Sequence, residues 1–250
     1  MRIHGGEARG RKLKTREGKG TRPTDARSRE MLFNILGERV VDARVLDLYA
    51  GTGAIGLEAL SQGARSCLFV EQNAVACRVI RENLRVLKWH DRARVWQNAV
   101  KPALRRIVES TPNEVEAESV LDESKSDESE LDESELDEKA GRRVIASALE
   151  SGDSSSIRGL GRAHEYSYGA FDIVFADPPF SRPQELIDLM LGLDNAGALL
   201  HNEGDRFGGL LVVQHHWKAV LPASKRFVLD QSRRAGESVL SFFHSQHLNK

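Results

Sequence analysis

Cysteine is nearly absent from this chain: Cys67 and Cys77 are the only two, and they form no CxxC pair. That argues against a disulfide framework or a zinc scaffold and fits a reducing, cytoplasmic setting, with both thiols packed as small apolar groups. Long apolar runs are missing too. No stretch reaches the roughly 18 residues that a membrane helix needs, so no membrane partner is expected. The N-terminus is basic but lacks an apolar core segment, so it does not read as a secretory signal. Metal-ligand spacings are likewise lacking, because the adjacent His215 and His216 point to different sides of one chain. No metal is therefore expected. Trp89-His90 reads as a helix end and the terminal HSQHLNK as a solvated tail.

Charge is balanced in total but not in place. The 250 residues hold 36 Lys or Arg and 37 Asp or Glu. Thirteen of the acidic residues fall within 113–139, against only Lys125 and Lys139. The first 22 residues carry eight basic side chains against Glu7 and Glu17. Without the acidic stretch the chain is net basic, and its basic arm suggests a polyanionic partner such as nucleic acid. The acidic stretch is a small repeat, SELDE at 129–133 and again at 134–138, with SVLDE at 119–123. Low complexity and dense like charge predict disorder, and the loop continues to residue 169. The expected organisation is a basic arm and lead-in helix over 1–40, a core over 41–112 and 170–250, and an acidic insertion over 113–169.

The core alternates strand and helix patterns. ARVLDLYA (43–50), SCLFVE (66–71), ARVWQ (93–97), FDIVFA (171–176) and GLLVVQ (209–214) read as strands, with helical spacing after each of the first four. RFVLD (226–230) and SVLSFFH (238–244) follow without a helix between them. The pattern predicts a mostly parallel α/β sheet covered on both faces, closed by an antiparallel edge hairpin. Ligands of such sheets bind at the carboxyl ends of the strands. The short, glycine-punctuated MRIHGGEARGRKLKT suggests a hairpin, and TDARSREMLFNIL a helix capped by Thr24 or Asp25.

Two motifs stand at those strand ends. LDLYAGTGAIGLEAL places Gly51, Gly53 and Gly56 in a G-x-G-x-x-G turn between strand and helix, with Thr52 at its tip. Such a turn lets the backbone approach a cofactor closely. Glu71 ends the next strand, where an acceptor can hold ribose hydroxyls. A dinucleotide or S-adenosylmethionine (AdoMet) would fit. Asp47 favours AdoMet, since its carboxylate could meet the cationic amino-acid end of that cofactor, whereas a pyrophosphate would be repelled. Asn98 could read an adenine edge or cap the helix that follows. The second motif is Asp177-Pro178-Pro179-Phe180. Two prolines end the strand. A carboxylate and a rigid carbonyl there can accept both hydrogens of a nucleobase amine, while Phe180 stacks on the base.

In this order, GTRPTDARSREMLFNIL, LDLYAGTGAIGLEALSQGA, FVEQN and DIVFADPPF resemble the RsmD-type 16S rRNA guanine-N2 methyltransferases. The resemblance covers most of 1–110 and 170–245. The glycine turn and DPPF alone mark amino-group methyltransferases in general, adenine-specific DNA enzymes included; the N-terminal context narrows the match. The resemblance implies a Rossmann-like seven-stranded AdoMet-dependent methyltransferase fold, with small-subunit ribosomal RNA, assembled or partly assembled, as partner. By motif, it implies that Gly51, Gly53 and Glu71 hold AdoMet with Asn98 near the adenine, and that Asp177 to Phe180 hold the guanine. Arg22, Thr24, Arg27 and Arg29 would lie near cofactor or RNA, with Arg9, Arg11 and Lys12 of the arm as further RNA contacts. The acidic insertion departs from the family pattern. Competing readings are a DNA adenine methyltransferase, an NAD-binding oxidoreductase and a non-catalytic RNA-binding protein.

Overall fold

The computed structural model describes residues 1–15, 26–109, 170–195, 200 and 209–246. The chain divides into one unit of Met1–Thr111 with Gly169–Lys250 and a second of Pro112–Tyr168. The second unit, and with it the acidic insertion, lies outside the described residues, as do Arg22 and Thr24.

The first unit runs α1 (Ala26–Leu36), β1 (Arg44–Leu48), α2 (Ala54–Ser61), β2 (Ser66–Glu71), α3 (Ala74–Leu87), β3 (Ala93–Gln97) and α4 (Val100–Glu109). After the second unit come β4 (Ile173–Ala176), α5 (Pro183–Asn195), β5 (Leu210–His216), β6 (Phe227–Ala235) and β7 (Ser238–Ser245). One seven-stranded sheet has the order β3-β2-β1-β4-β5-β7-β6. The first five strands in that order are parallel, and β7 runs antiparallel to both β5 and β6.

The register follows from the period of two along each strand. Val45, Cys67, Phe69, Ile173, Phe175, Val212 and Phe242 share one buried cluster with residues of α1, α2 and α3. The alternate residues Leu46, Leu68, Val174 and Leu211 are buried as well. Both faces are thus covered, as a parallel sheet requires. Cys67 and Cys77 are buried free thiols. Helix α3 shows how local sequence sets an element. Asn73 caps it by accepting from the Val75 and Ala76 amides at 3.0 and 3.1 Å. Ala76, Cys77, Ile80 and Leu84 form its buried stripe, and Lys88 closes it in the left-handed conformation.

Two strands run past their expected ends. β5 continues to His216 because His215 and His216 pair with Val239 and Ser238 of β7. β6 continues to Ala235 because its polar residues need no burial at the sheet edge, where all but Phe227 are exposed or half-exposed.

The expected N-terminal hairpin is present. Arg2 and Lys12 form an antiparallel bridge, and the amides of Ile3 and Gly10 donate to Arg11 and Ile3 carbonyls. Ile3, Ala8 and Leu13 are buried in the main cluster. The hairpin is clasped to α2. Glu58, 1% exposed, accepts from the amides of His4 and Gly5 and from the Gln62 side chain. The Ser61 hydroxyl accepts from the Ala8 amide and donates to the Gly5 carbonyl at 2.6 Å. Gly6 has φ +73, and a Cβ there would lie 1.7 Å from the Ser61 carbonyl oxygen. Only glycine permits that approach.

Candidate active site

The sheet order reverses between β1 and β4, and the carboxyl ends of these two strands open one cleft of about 1820 Å³. That exceeds the roughly 300–1,000 Å³ of a single small-molecule pocket, so a cofactor and a base can share it. Gly51, Thr52, Glu71, Asn98 and Asp177 to Phe180 all line it. Residues far apart in sequence are therefore gathered as the motifs suggested.

Glu71 is held before any ligand arrives. One carboxylate oxygen accepts from the Gly51 amide at 2.8 Å and the other from the Asn73 amide at 2.7 Å. The Glu71 carbonyl accepts from the Asn98 amide at 3.0 Å and from the Cys77 thiol at 3.2 Å. Each carboxylate oxygen keeps a further lone pair, which suits a diol. The glycine turn is fixed by the Gly53 amide, which donates to the Ala50 carbonyl at 2.7 Å, and Gly53 is the left-handed residue preceding α2. Gly56 is required by packing: a Cβ would fall 2.3 Å from Phe69 Cε1 and 2.6 Å from Cys67 Sγ.

Asp47 departs from expectation. It is 1% exposed, does not line the cleft, and accepts from the Gly56 amide at 3.0 Å. Strand alternation turns it toward α2, so it braces the turn from behind instead of facing the cleft. Burial raises its carboxyl to about 7, opposed by the Gly56 amide and reinforced by Asp177 and Glu71. Asn98 lies in the cleft, one residue ahead of Ala99, whose carbonyl accepts from Ala103 in the first turn of α4.

Opposite the turn, β4 delivers the elbow. The Asp177 amide donates to Leu48 at 3.5 Å, the last tie between β4 and β1. Pro178 and Pro179 have no amide to continue the ladder. The Pro179 carbonyl is taken by the Arg182 amide at 3.0 Å. The Phe180 ring meets the His216 ring edge-on, centroids 5.8 Å apart.

Two cleft residues were not expected. Tyr49 adopts φ 59, an uncommon conformation for a bulky side chain, directly before the glycine turn. Burial pushes its phenol up to about 12, so it is a neutral donor at ordinary pH. Gln214 is 4% exposed, lines the cleft, and its Oε1 has no hydrogen-bond partner. Val213 pairs with Ala176, which sets Gln214 beside Asp177 on the neighbouring strand. A polar residue closing the apolar run GLLVV was the signal for it.

The basic candidates separate. Arg9, Arg11, Lys12 and Arg27 are exposed, and none lines the cleft. Arg29 is 3% exposed and engaged: its Nη2 donates to the Arg2 carbonyl at 2.9 Å and meets His4 Nε2 at 3.0 Å, and its Nε lies 3.4 Å from Glu58. It ties the hairpin to α1 and α2 and, alone among these candidates, also lines the cleft. His215 is structural as well, bonded through Nδ1 to the His216 carbonyl and through Nε2 to Ser241.

The sheet order, the glycine turn and the carboxylate at the end of β2 define the Rossmann-like fold of AdoMet-dependent methyltransferases. Residues 1–117 match the family described as Conserved hypothetical protein 95. "Putative rRNA methyltransferase YlbH" of Bacillus subtilis (strain 168) is 39% identical over 104 residues, 42% of this chain and 56% of that protein. "Ribosomal RNA small subunit methyltransferase D" of Escherichia coli (strain K12) is 47% identical over 88 residues, 35% of this chain and 44% of that protein. The chain thus spans about half the length of the curated relatives it matches. A solved Escherichia coli structure, "Putative methyltransferase yhhF", superposes with a TM-score of 0.64 at 26% identity and covers 98% of both chains. Over residues 1–117 the chain is thus similar to that family and to these ribosomal RNA methyltransferases.

Proposed function

We propose that this protein transfers a methyl group from AdoMet to the exocyclic N2 of a guanine in the 16S RNA of the small ribosomal subunit. The observation that carries the reading is the shared cleft, with the glycine turn and Glu71 on one side and the Asp177-to-Phe180 elbow on the other. The names of the relatives over the N-terminal part support ribosomal RNA as the substrate class.

The residues present fit AdoMet. Glu71, locked by two backbone amides, would hold the ribose hydroxyls. The backbone of Gly51 and Thr52 would border the amino-acid end, and Asn98 would meet the adenine. When bound, AdoMet supplies a methyl group on a positively charged sulfur, which is left as a neutral thioether once the methyl has moved.

The elbow makes a poor nucleophile competent. A guanine amine is planar because its lone pair is delocalised into the ring. Asp177 accepts one amine hydrogen and a backbone carbonyl the other. The Pro178 carbonyl, which directly follows Asp177, is the candidate for that role; the Pro179 carbonyl already accepts from the Arg182 amide. Two fixed acceptors draw the nitrogen toward a tetrahedral shape with its lone pair facing the methyl group. Asp177 takes the proton that the alkylated amine must lose. Phe180 stacks on the base, and Gln214 Oε1, still without a partner, suits the N1–H that guanine carries beside N2 and adenine lacks.

The experiment is transfer of labelled methyl from AdoMet to unmodified small subunits, followed by nuclease digestion and identification of the methylated base. N2-methylguanine is expected, and Asp177→Ala should lower kcat by about 100-fold or more, as loss of a preorganised polar group does. Label on adenine would refute the guanine assignment. Full activity of Asp177→Ala would refute the role of the elbow.

A further inference from the structure

His216 ends β5 and Trp217 follows it, next to the cleft-lining Phe180, and nothing in the methyl-transfer chemistry uses the pair. Trp217 is 43% exposed, an unusual position for the largest apolar side chain directly after a strand whose residues Leu210 to His215 are all buried. Its backbone is not loose: the Trp217 amide donates to the Glu237 carbonyl at 3.0 Å, which anchors it to the β6–β7 turn. The ring is one of a series. The Phe180 and His216 centroids are 5.8 Å apart, and the His216 and Trp217 centroids 5.9 Å apart at a tilt of 34°. The Lys218 amide donates to His216 Nδ1 at 3.2 Å, fixing the middle ring.

Positive charge accompanies the outer ring. Arg234 Cζ lies 4.5 Å from the Trp217 centroid and Lys218 Nζ 5.1 Å, both within cation–π range. Glu237 is the acidic residue of the adjoining turn. An aromatic ring that is rigidly held, partly exposed and flanked by cations combines what a base and its phosphate require.

We infer that Phe180, His216 and Trp217 form an aromatic track from the cleft to the surface, its first contact edge-on, and that Trp217 holds a nucleotide next to the methylated base in a single-stranded RNA segment. Arg234 and Lys218 neutralise its phosphates. The track rests on the RNA-modifying reading above, and it explains how a target base, once unstacked from its neighbours, is kept in line with the cleft.

The test uses the full chain and a short single-stranded RNA oligonucleotide free of protein. RNA should quench the fluorescence of Trp217 in wild type, and the change should be absent from Trp217→Ala. Measured by anisotropy of labelled RNA, Trp217→Ala should bind about 5- to 150-fold more weakly, the range for losing one base stack. Trp217→Phe should recover most of that affinity. Arg234→Ala should reduce the slope of log affinity against log salt by about 0.7, one phosphate contact on a single strand. In methyl transfer, Trp217→Ala should raise the KM for RNA more than it lowers kcat, with AdoMet affinity retained as proof of folding. Quenching and weakened binding without any methyl transfer would leave the track standing and sink the chemistry. Methyl transfer with unchanged KM and no quenching would overturn the track, as would binding of a ribosomal protein, but not RNA, at Trp217.

Discussion

Asp47 offers the sharpest quantitative test of the site's construction. It is buried behind the glycine turn, and its carboxyl is raised from 3.8 in the unfolded chain to about 7. The folded state therefore keeps a proton that the unfolded state has already released. The resulting stabilisation is fully present below pH 3.8 and is lost as pH rises through about 7. Across that window stability should fall by about 1.4 kcal/mol per pH unit, about 4 kcal/mol in total. Asp47→Asn keeps an oxygen for the Gly56 amide and has no charge to bury. Its stability relative to wild type should thus climb by about 4 kcal/mol between acid and mildly alkaline pH, because titrations not coupled to Asp47 cancel in the difference. Urea unfolding of both proteins across that range measures it. Parallel curves would refute the buried-proton argument. AdoMet titration supplies a second reading: unchanged affinity is expected if Asp47 acts only through the turn, and a large loss would return it to the cofactor site.

Two further perturbations bear on the frame. Glu58→Ala leaves the Arg29 guanidinium buried without its carboxylate and strips the His4 and Gly5 amides of their acceptor. A loss of about 3–5 kcal/mol is expected in chemical unfolding, and Glu58→Gln, which keeps an acceptor oxygen, should lose less. Gly56→Ala forces a methyl group against Phe69 and Cys67. It should cost about 1–3 kcal/mol by overpacking, visible as a lowered Tm and weakened AdoMet binding together.

Much of the fold was legible because the parallel strands are buried on both faces and read as apolar runs bounded by turn residues. β6 was read short because an edge strand needs no apolar pattern, and DQSRRA carries none. Among the candidate residues, placement in the cleft was readable where strand position decides it: Gly51, Glu71 and Asp177 each end a strand or form its turn. The burial of Asp47 and Arg29 was not legible, because a carboxylate or guanidinium in sequence does not reveal it; Arg29 still borders the cleft, as its place in the lead-in segment suggested. In the folded chain each is nearly inaccessible and already bonded. Tyr49 left no signal, since a left-handed conformation at a tyrosine is not written in residue type.

The clasp between the N-terminal hairpin and α2 has a practical consequence. A basic, glycine-rich leader invites removal when a protein is trimmed to its core. Here, deleting the first fifteen residues would unpair Glu58 and Ser61, expose the surface under Ile3, Ala8 and Leu13, and remove the Lys14 backbone that bonds in both directions with Asn83 of α3. Helix α2 begins at the glycine turn and ends at that clasp, only eight residues on. The leader is thus a structural wall of the cleft, and a shortened chain would lose the shape of that cleft along with the basic charge of the arm.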